Sequence, residues 1–500
     1  MQADNSNAGA KAAGKHGPDE PHNLEPDSWP EFRRTAHEAL DAAINHLQNR
    51  AQAPVWQRPP DRLRHGLRAP LPREGTDSDA LMARIVTEFL PHDVGNTHAR
   101  FFGWVHGAGT PEGLIPDIFA AAMNANLGGR DHIANEVEKQ VISWCVEIFS
   151  FPPGAGGLIL SGSSMATLVA LKAAREKHGG TGLRDSGLRN GPPLVAYASD
   201  QAHSCIARAF DILGLGKDAL RPVPVDGDFR MDLNALETMI RQDRAAGRQP
   251  FCLIGTAGSV NVGAIDPLAA LADLAAREGL WFHVDGAFGA LAVLEPTLRP
   301  RLEGVERADS LAFDFHKWLH VNYDAGFVLM RAAEDQRRAF SERPDYLAGA
   351  ARGLAAGNPW ACEYGPELSR GFRALKIWYQ IARFGTTRLG ALIRMNCAQA
   401  QALGQRVRAT PALTLLAPVA LNIVCFRFDP GGLGGPELDR LNSEIVIRLQ
   451  EQGRAAPSNT RIGSALAIRV NLTNHRTRMA DLDALTKDVL QIGRELTAGE

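Results

Sequence analysis

From about residue 96 to 375, short apolar runs alternate with stretches in which apolar residues recur every three or four positions. Leu158–Leu160, Leu194–Ala198, Phe251–Gly255, Leu280–Val284, Ser310–Phe313 and Gly326–Met330 read as strands. Asp232–Arg241 and Pro267–Arg277, lying between them, read as helices. Strands that are apolar on both faces and alternate with helices predict a mostly parallel sheet covered on both sides, an α/β fold. Ahead of this region, Ser28 can cap a helix, Pro30 suits its first turn and Glu31 can reach back to the cap. Phe32, Ala36, Leu40, Ile44 and Leu47 then form one apolar stripe. A proline-rich connection, Pro54 to Pro72, leads to another helix near Asp77–Leu90. Residues 1 to about 26 are polar and are expected to be disordered. Towards the end, Ala420–Phe428 and Ala465–Asn471 read as strands among helices. The expected division is a disordered start and N-terminal helical arm (1–95), a large α/β domain (96–375) and a small C-terminal α+β domain (376–500).

Composition narrows the function classes. The net charge is −2, so there is no electrostatic reason to expect nucleic acid or an anionic membrane as partner. Small molecules are the expected ligands. The six cysteines form no C-x-x-C pair, which fits reduced thiols in a cytoplasmic protein better than a zinc site or a disulfide framework; no metal is expected. Neither a secretory leader nor a membrane span is visible.

Four segments carry chemistry, each at the end of an expected strand. In Phe282-His-Val-Asp285-Gly-Ala-Phe288 an apolar run ends in an acid, and ligands of α/β sheets sit beyond such carboxyl ends. Asp285 there could pair with a protonated ring nitrogen or simply cap the next turn. In Ser310-Leu-Ala-Phe-Asp314-Phe-His316-Lys317-Trp318 a lysine closes a strand; its amine could form a Schiff base, or its stem could snorkel to solvent. An Asp ending one strand and a His-Lys ending the next favour the chemical reading of both. Ser161-Gly162-Ser163-Ser164 joins a strand to a helix, offering N–H groups, hydroxyls and a helix N-terminus that suit a phosphate, or serine capping alone. His203, in Ser-Asp200-Gln-Ala-His203, opens a helix and could stack on a flat cofactor or serve structure only. Thr256 completes a ring of polar groups at strand ends.

In this order and spacing, Ser-Asp-Gln-Ala-His203, His-Val-Asp285-x-Ala and His316-Lys317-Trp318 resemble the pyridoxal-phosphate-dependent group II amino acid decarboxylases, which include aromatic-L-amino-acid decarboxylase. The resemblance runs from about Thr97 to the end, and Arg469–Thr477 looks like the family's C-terminal signature. It implies a fold-type I enzyme: a mostly parallel seven-stranded sheet with a smaller C-terminal domain, acting as a homodimer with active sites at the interface. It implies that Lys317 carries pyridoxal 5′-phosphate as a Schiff base and Asp285 binds the ring nitrogen. His203 would stack on the ring, Ser163, Ser164 and His316 would serve the phosphate, and Thr256 and Ala287 would line the pocket. Tyr346, in a segment similar to the family's mobile catalytic loop, would direct the reaction to plain decarboxylation. Phenylalanine at that position is associated with relatives that use oxygen and release an aldehyde, so such a relative is the alternative. A cofactor-binding paralogue without turnover is another.

Three positions depart from the family's pattern. Met165 stands where many relatives are polar, Gly286 replaces a common alanine, and Asp314 takes a place often held by asparagine, setting an acid near the phosphate. The segment His98–Gly107 resembles the family's substrate-pocket strip. Phe102, Trp104 and Val105 could wall an aromatic side chain there, while Arg100 or His106 could meet a polar one. Aromatic L-amino acids are the favoured substrates.

Overall fold

The computed structural model describes residues 24–180, 182–189, 191–342 and 349–498. The expected disorder at the chain start falls largely on residues outside this set. Seven strands form the main sheet: β1 (Gly156–Leu160), β2 (Leu194–Ser199), β3 (Leu220–Val223), β4 (Gln249–Thr256), β5 (Trp281–Asp285), β6 (Ser310–Asp314) and β7 (Gly326–Met330). Their order is β1-β7-β6-β5-β4-β2-β3. β7 runs against its neighbours β1 and β6, while β6, β5, β4, β2 and β3 pair in parallel. The carboxyl ends of β1, β2, β4, β5 and β6 therefore open on one edge, which is where a parallel sheet builds a site.

Burial explains the apolar runs. All residues of β2, β5, β6 and β7 are buried, because helices cover both faces. The helix Ser163–His178 lies over β6 and β7 with Ala166, Val169, Ala170, Leu171 and Ala174 turned inward. Small residues on that face let helix and sheet approach closely. Gly286 fits the same dense packing: a Cβ there would lie 2.4 Å from the Ala290 Cβ, so the departure from alanine is a steric requirement of this core.

A second sheet is antiparallel, in the order β10-β11-β9-β8, from β8 (Leu413–Leu415), β9 (Ile423–Phe428), β10 (Ser458–Ile462) and β11 (Ala465–Asn471). Helices Gly435–Glu451 and Met479–Ala498 pack on it. The helix Arg373–Ala409, bent at Gly385 (φ 68°), touches both the main-sheet layer and this second layer, and residue 376 falls in its first turn. β9 begins at Ile423, three residues later than the apolar run suggests.

Near the start, Trp29–Gln48 is a helix whose Ser28 Oγ accepts from Glu31 N (3.4 Å), and it buries no residue. The expected second helix is α-helical only over Ser78–Arg84 and widens to a π turn over Ile85–Phe89. No helix among the described residues is long and apolar enough to cross a membrane.

Two buried arginines join layers. Arg370, 3% exposed, pairs with Glu138, donates to Leu127 O (2.9 Å) and Ile159 O (2.8 Å), and so pins its own segment to helix Ile133–Ile148 and β1. Arg469 reaches from β11 to Val260 O and Asn261 O, behind the end of β4. Burial pulls its pKa down to about 10, which leaves it charged at neutral pH.

Candidate active site

The strand ends bring the expected residues together. Thr256 and Asp285 are register partners at the ends of β4 and β5, and Asp285 in turn faces Ala312 of β6. Asp314 closes β6, and the short helix Phe315–Trp318 that follows turns Lys317 back across the sheet edge. On the other flank, β1 runs through Ser161-Gly162 into Ser163, the first residue of its helix. His203 caps the helix Ser204–Ile212, its Nδ1 accepting from Cys205 N at 3.2 Å. One loop at each strand end supplies one functional group.

Asp314 ties two of these loops to one carboxylate. Its Oδ2 lies 2.8 Å from Lys317 Nζ and accepts from Ser163 Oγ at 2.7 Å, while Oδ1 accepts from Ser163 N at 2.6 Å. His316 Nδ1 lies 3.0 Å from Ala325 N and 3.1 Å from Ala325 O, and its Nε2 is 3.8 Å from Asp314 Oδ1. The acid thus sits where the sequence places a phosphate seat, and Ser163 spends both donors on it. Ser164, one residue on, is exposed and keeps its place at the helix N-terminus.

Charge in the site is organised as two acids around one amine. Burial works against the ammonium of Lys317, but the charge and hydrogen bond of Asp314, then Asp285 and Tyr323, hold its pKa above the ordinary lysine value. Burial likewise opposes ionisation of Asp314, yet Lys317, His316 and Ser163 hold it below the usual carboxylate range. Asp285, 3% exposed, is pushed up by burial, against the pull of Lys317 and His203. It accepts from Ala287 N (3.2 Å), and the Cys205 thiol lies 4.0 Å away. Lys317 and Asp285 feel each other's charge, while the direct partner of the amine is Asp314. Burial lowers the pKa of His203, His316 and His106, with Lys317 adding to each effect, so these rings are neutral at pH 7.

The strip 98–107 lies against this edge. A Cβ on Gly107 would fall 1.7 Å from His316 O, so only glycine permits the approach. Tyr323 packs on His316 with ring centroids 4.3 Å apart, and His106 lies between Tyr323 (6.1 Å) and Phe101 (5.5 Å). Trp104 is 54% exposed beside them. Val105 belongs to the main core. Phe102 is buried among Val424, Phe426 and Val470 of the second sheet; it is a core side chain there, not a wall of the site. Tyr346 lies outside the described residues.

Sequence reasoning missed what the C-terminal signature does. Thr473 Oγ1 donates to His106 O (2.7 Å), Asn474 Nδ2 to His98 O (2.9 Å), His475 Nε2 to Gly109 O (2.9 Å), Arg476 Nη1 to Ala108 O (3.1 Å) and Thr477 Oγ1 to Ala99 O (2.6 Å). Five consecutive side chains strap carbonyls of the strip and of the two residues that follow it. A run of donors without apolar residues is the signal that could have suggested it.

The donor set selects its ligand. A buried acid and a partly buried amine at one sheet edge, beside a helix N-terminus that carries Ser164, suit a flat heterocycle with a basic nitrogen at one end and an aldehyde and a phosphate at the other. The sequence profile of the pyridoxal-dependent decarboxylase conserved domain matches residues 60–429. The chain belongs to this family. It is a pyridoxal 5′-phosphate-dependent amino acid decarboxylase of the group II type. Among its relatives, an aromatic-L-amino-acid decarboxylase from Bacillus atrophaeus is 32% identical, over 94% of this chain and 95% of its own length. The pig aromatic-L-amino-acid decarboxylase is also 32% identical, over 84% of this chain and 89% of its own. Oryza sativa TDC, solved with PLP and tryptamine, superposes with a TM-score of 0.87 at 26% identity, covering 95% of this chain and all of its own. The decarboxylase fold expected from the motifs, with its seven-stranded sheet, smaller antiparallel sheet and N-terminal helix, is the fold observed.

Proposed function

We propose that this decarboxylase converts an aromatic L-amino acid to its amine and CO2, with the cofactor held covalently at Lys317. The observation that carries the reading is that Asp285, closing β5, and Lys317, just after β6, lie at one sheet edge and act on each other's charge. The bound cofactor supplies an electron sink for the charge left on Cα when the carboxylate departs. Asp285 would bind the ring nitrogen and keep it positively charged, and Lys317 would hold the cofactor through its amine. His203 would stack on the ring, while Ser164, His316 and the helix N-terminus at Ser163 would serve the phosphate. Thr256 and Ala287 would line the pocket. Tyr346 supplies the proton to Cα, with His203 available as relay, and Lys317 recovers its amine on product release.

An aromatic substrate is supported by the rings of Trp104, Phe101 and Tyr323 around neutral His106, and by relatives named for aromatic amino acids, tryptophan and tyrosine. We read residues 96–375 as the cofactor-binding domain and 376–500 as the small domain, in keeping with the two sheets. A homodimer is supported by apolar side chains that the N-terminal arm leaves exposed, among them Trp29, Phe32 and Ile44. A cytoplasmic location is in keeping with six unbridged cysteines.

The test is a screen of L-amino acids with amine products read by mass spectrometry and dissolved oxygen followed in parallel. Amine and CO2 from tryptophan, tyrosine or a related substrate, without oxygen uptake, is the expected result. Aldehyde with hydrogen peroxide would select the oxygen-using alternative. Spectral change on substrate binding without product would select the paralogue without turnover.

A further inference from the structure

We propose that Asp314 is a positioning residue that holds Lys317 as an ammonium ion and locks Ser163 beside it in the unloaded protein, and that it thereby governs how fast the cofactor can be attached. The proposal rests on the reading of Lys317 as the anchoring amine. Its basis is geometric. One carboxylate, 2% exposed, accepts from Lys317 Nζ at 2.8 Å, from Ser163 Oγ at 2.7 Å and from Ser163 N at 2.6 Å. These contacts use the donors at the first turn of the helix Ser163–His178, where an anion would otherwise be received. Asp314 is therefore both the counter-ion of the amine and the occupant of part of the anion seat.

Attachment needs the neutral amine. Lys317 must first give its proton to water or a solvent base. The nitrogen lone pair then attacks the aldehyde carbon of pyridoxal 5′-phosphate, a C–N bond forms, and the carbonyl oxygen leaves as water when the C=N double bond closes. No electron is gained or lost overall. The groups that bear on the proton are Asp314 on its own turn, Asp285 from β5, Tyr323 and His316 from the following loop and turn, His203 and Cys205 from the helix Ser204–Ile212, and His106 from the strip. Of the two acids, Asp314 alone pairs directly with the amine. Removing its charge leaves burial to favour the neutral amine, against Asp285 at longer range.

The experiment follows attachment of pyridoxal 5′-phosphate to cofactor-stripped protein by stopped-flow absorbance between pH 6.5 and 9.5. In the native protein the rate is expected to rise with pH throughout, as the ammonium is titrated. Asp314→Asn is expected to attach the cofactor about tenfold faster at pH 7 and to level off at lower pH, since one pKa unit is a factor of ten in neutral amine. Ser163→Ala, which keeps the ion pair, is expected to keep the native pH profile. An Asp314→Asn profile that overlays the native one overturns the proposal. If Lys317→Ala still attaches the cofactor covalently, the anchoring assignment itself fails, which is a separate outcome. Should Asp314→Asn lose its thermal transition, competitive acetylation of the unloaded native protein decides: Lys317 labelling that still climbs above pH 9 supports the ion pair, and labelling that levels off below pH 8 overturns it.

Discussion

At the scale of single residues, the site depends on side chains whose neighbours fix their charge. Asp285 is held at the end of a fully buried strand, where burial raises its pKa and Lys317 and His203 pull it back. A cofactor ring with a protonated nitrogen would complete that balance and keep the acid ionised. Asp285→Asn retains shape but removes the charge, so kcat is expected to fall by about 10²–10³. Steady-state kinetics of amine formation check this, and a kcat within a few-fold of native would contradict the role. The placement of the site residues at one sheet edge was legible because each ends or follows an apolar strand. Their partnership was not: Asp314 and Ser163 stand 151 positions apart, and only the fold shows that the acid the motif placed near a phosphate is occupied by a serine and the lysine.

At the scale of elements, the strands were read correctly where they are apolar throughout and missed where they are short or carry polar residues. β3 contains Arg221 and Pro222 and is only partly buried, β8 is three residues long, and β10 alternates polar residues outward. Such strands lack the continuous apolar run that marks a covered strand. Phe102 erred the other way: an aromatic in a substrate-pocket motif packs with the second sheet's core, where its backbone N donates to Ala456 O and its carbonyl accepts from Asn471 N. The buried Arg370–Glu138 pair gave no pattern at all, since its partners come from three separate elements. Arg370→Ala leaves Glu138 charged and buried, and should cost about 3–5 kcal/mol. Thermal and denaturant unfolding measure this, and the double change Arg370→Met with Glu138→Leu should recover much of the loss. A single variant as stable as native would show that the pair does not join the layers.

At the scale of the whole molecule, several buried histidines give stability a definite pH dependence. Burial, as the first cause, lowers the pKa of His98 to about 4, of His283 to about 3 and of His475 to about 4, from an ordinary value of 6.5. Below pH 6.5 the unfolded chain binds protons that the folded chain refuses, so stability falls as pH drops from 6.5 towards 4 and this contribution levels off beneath the folded values. Unfolding at pH 5.5 is expected to take up protons, measured by calorimetry in buffers of different ionisation enthalpy; proton release would contradict the burial of these rings. His98 and His475 lie in the strip and in its strap, so the same acid window should loosen the wall of the site. In the proposed function, fold, strap and charge serve one arrangement, in which Lys317 and Asp285 would hold opposite ends of the cofactor ring. The most direct measurement is borohydride reduction of the cofactor-loaded protein followed by mass mapping of its peptides. A pyridoxyl-phosphate adduct on Lys317 is the predicted result, and an adduct confined to another lysine, or none, would contradict it.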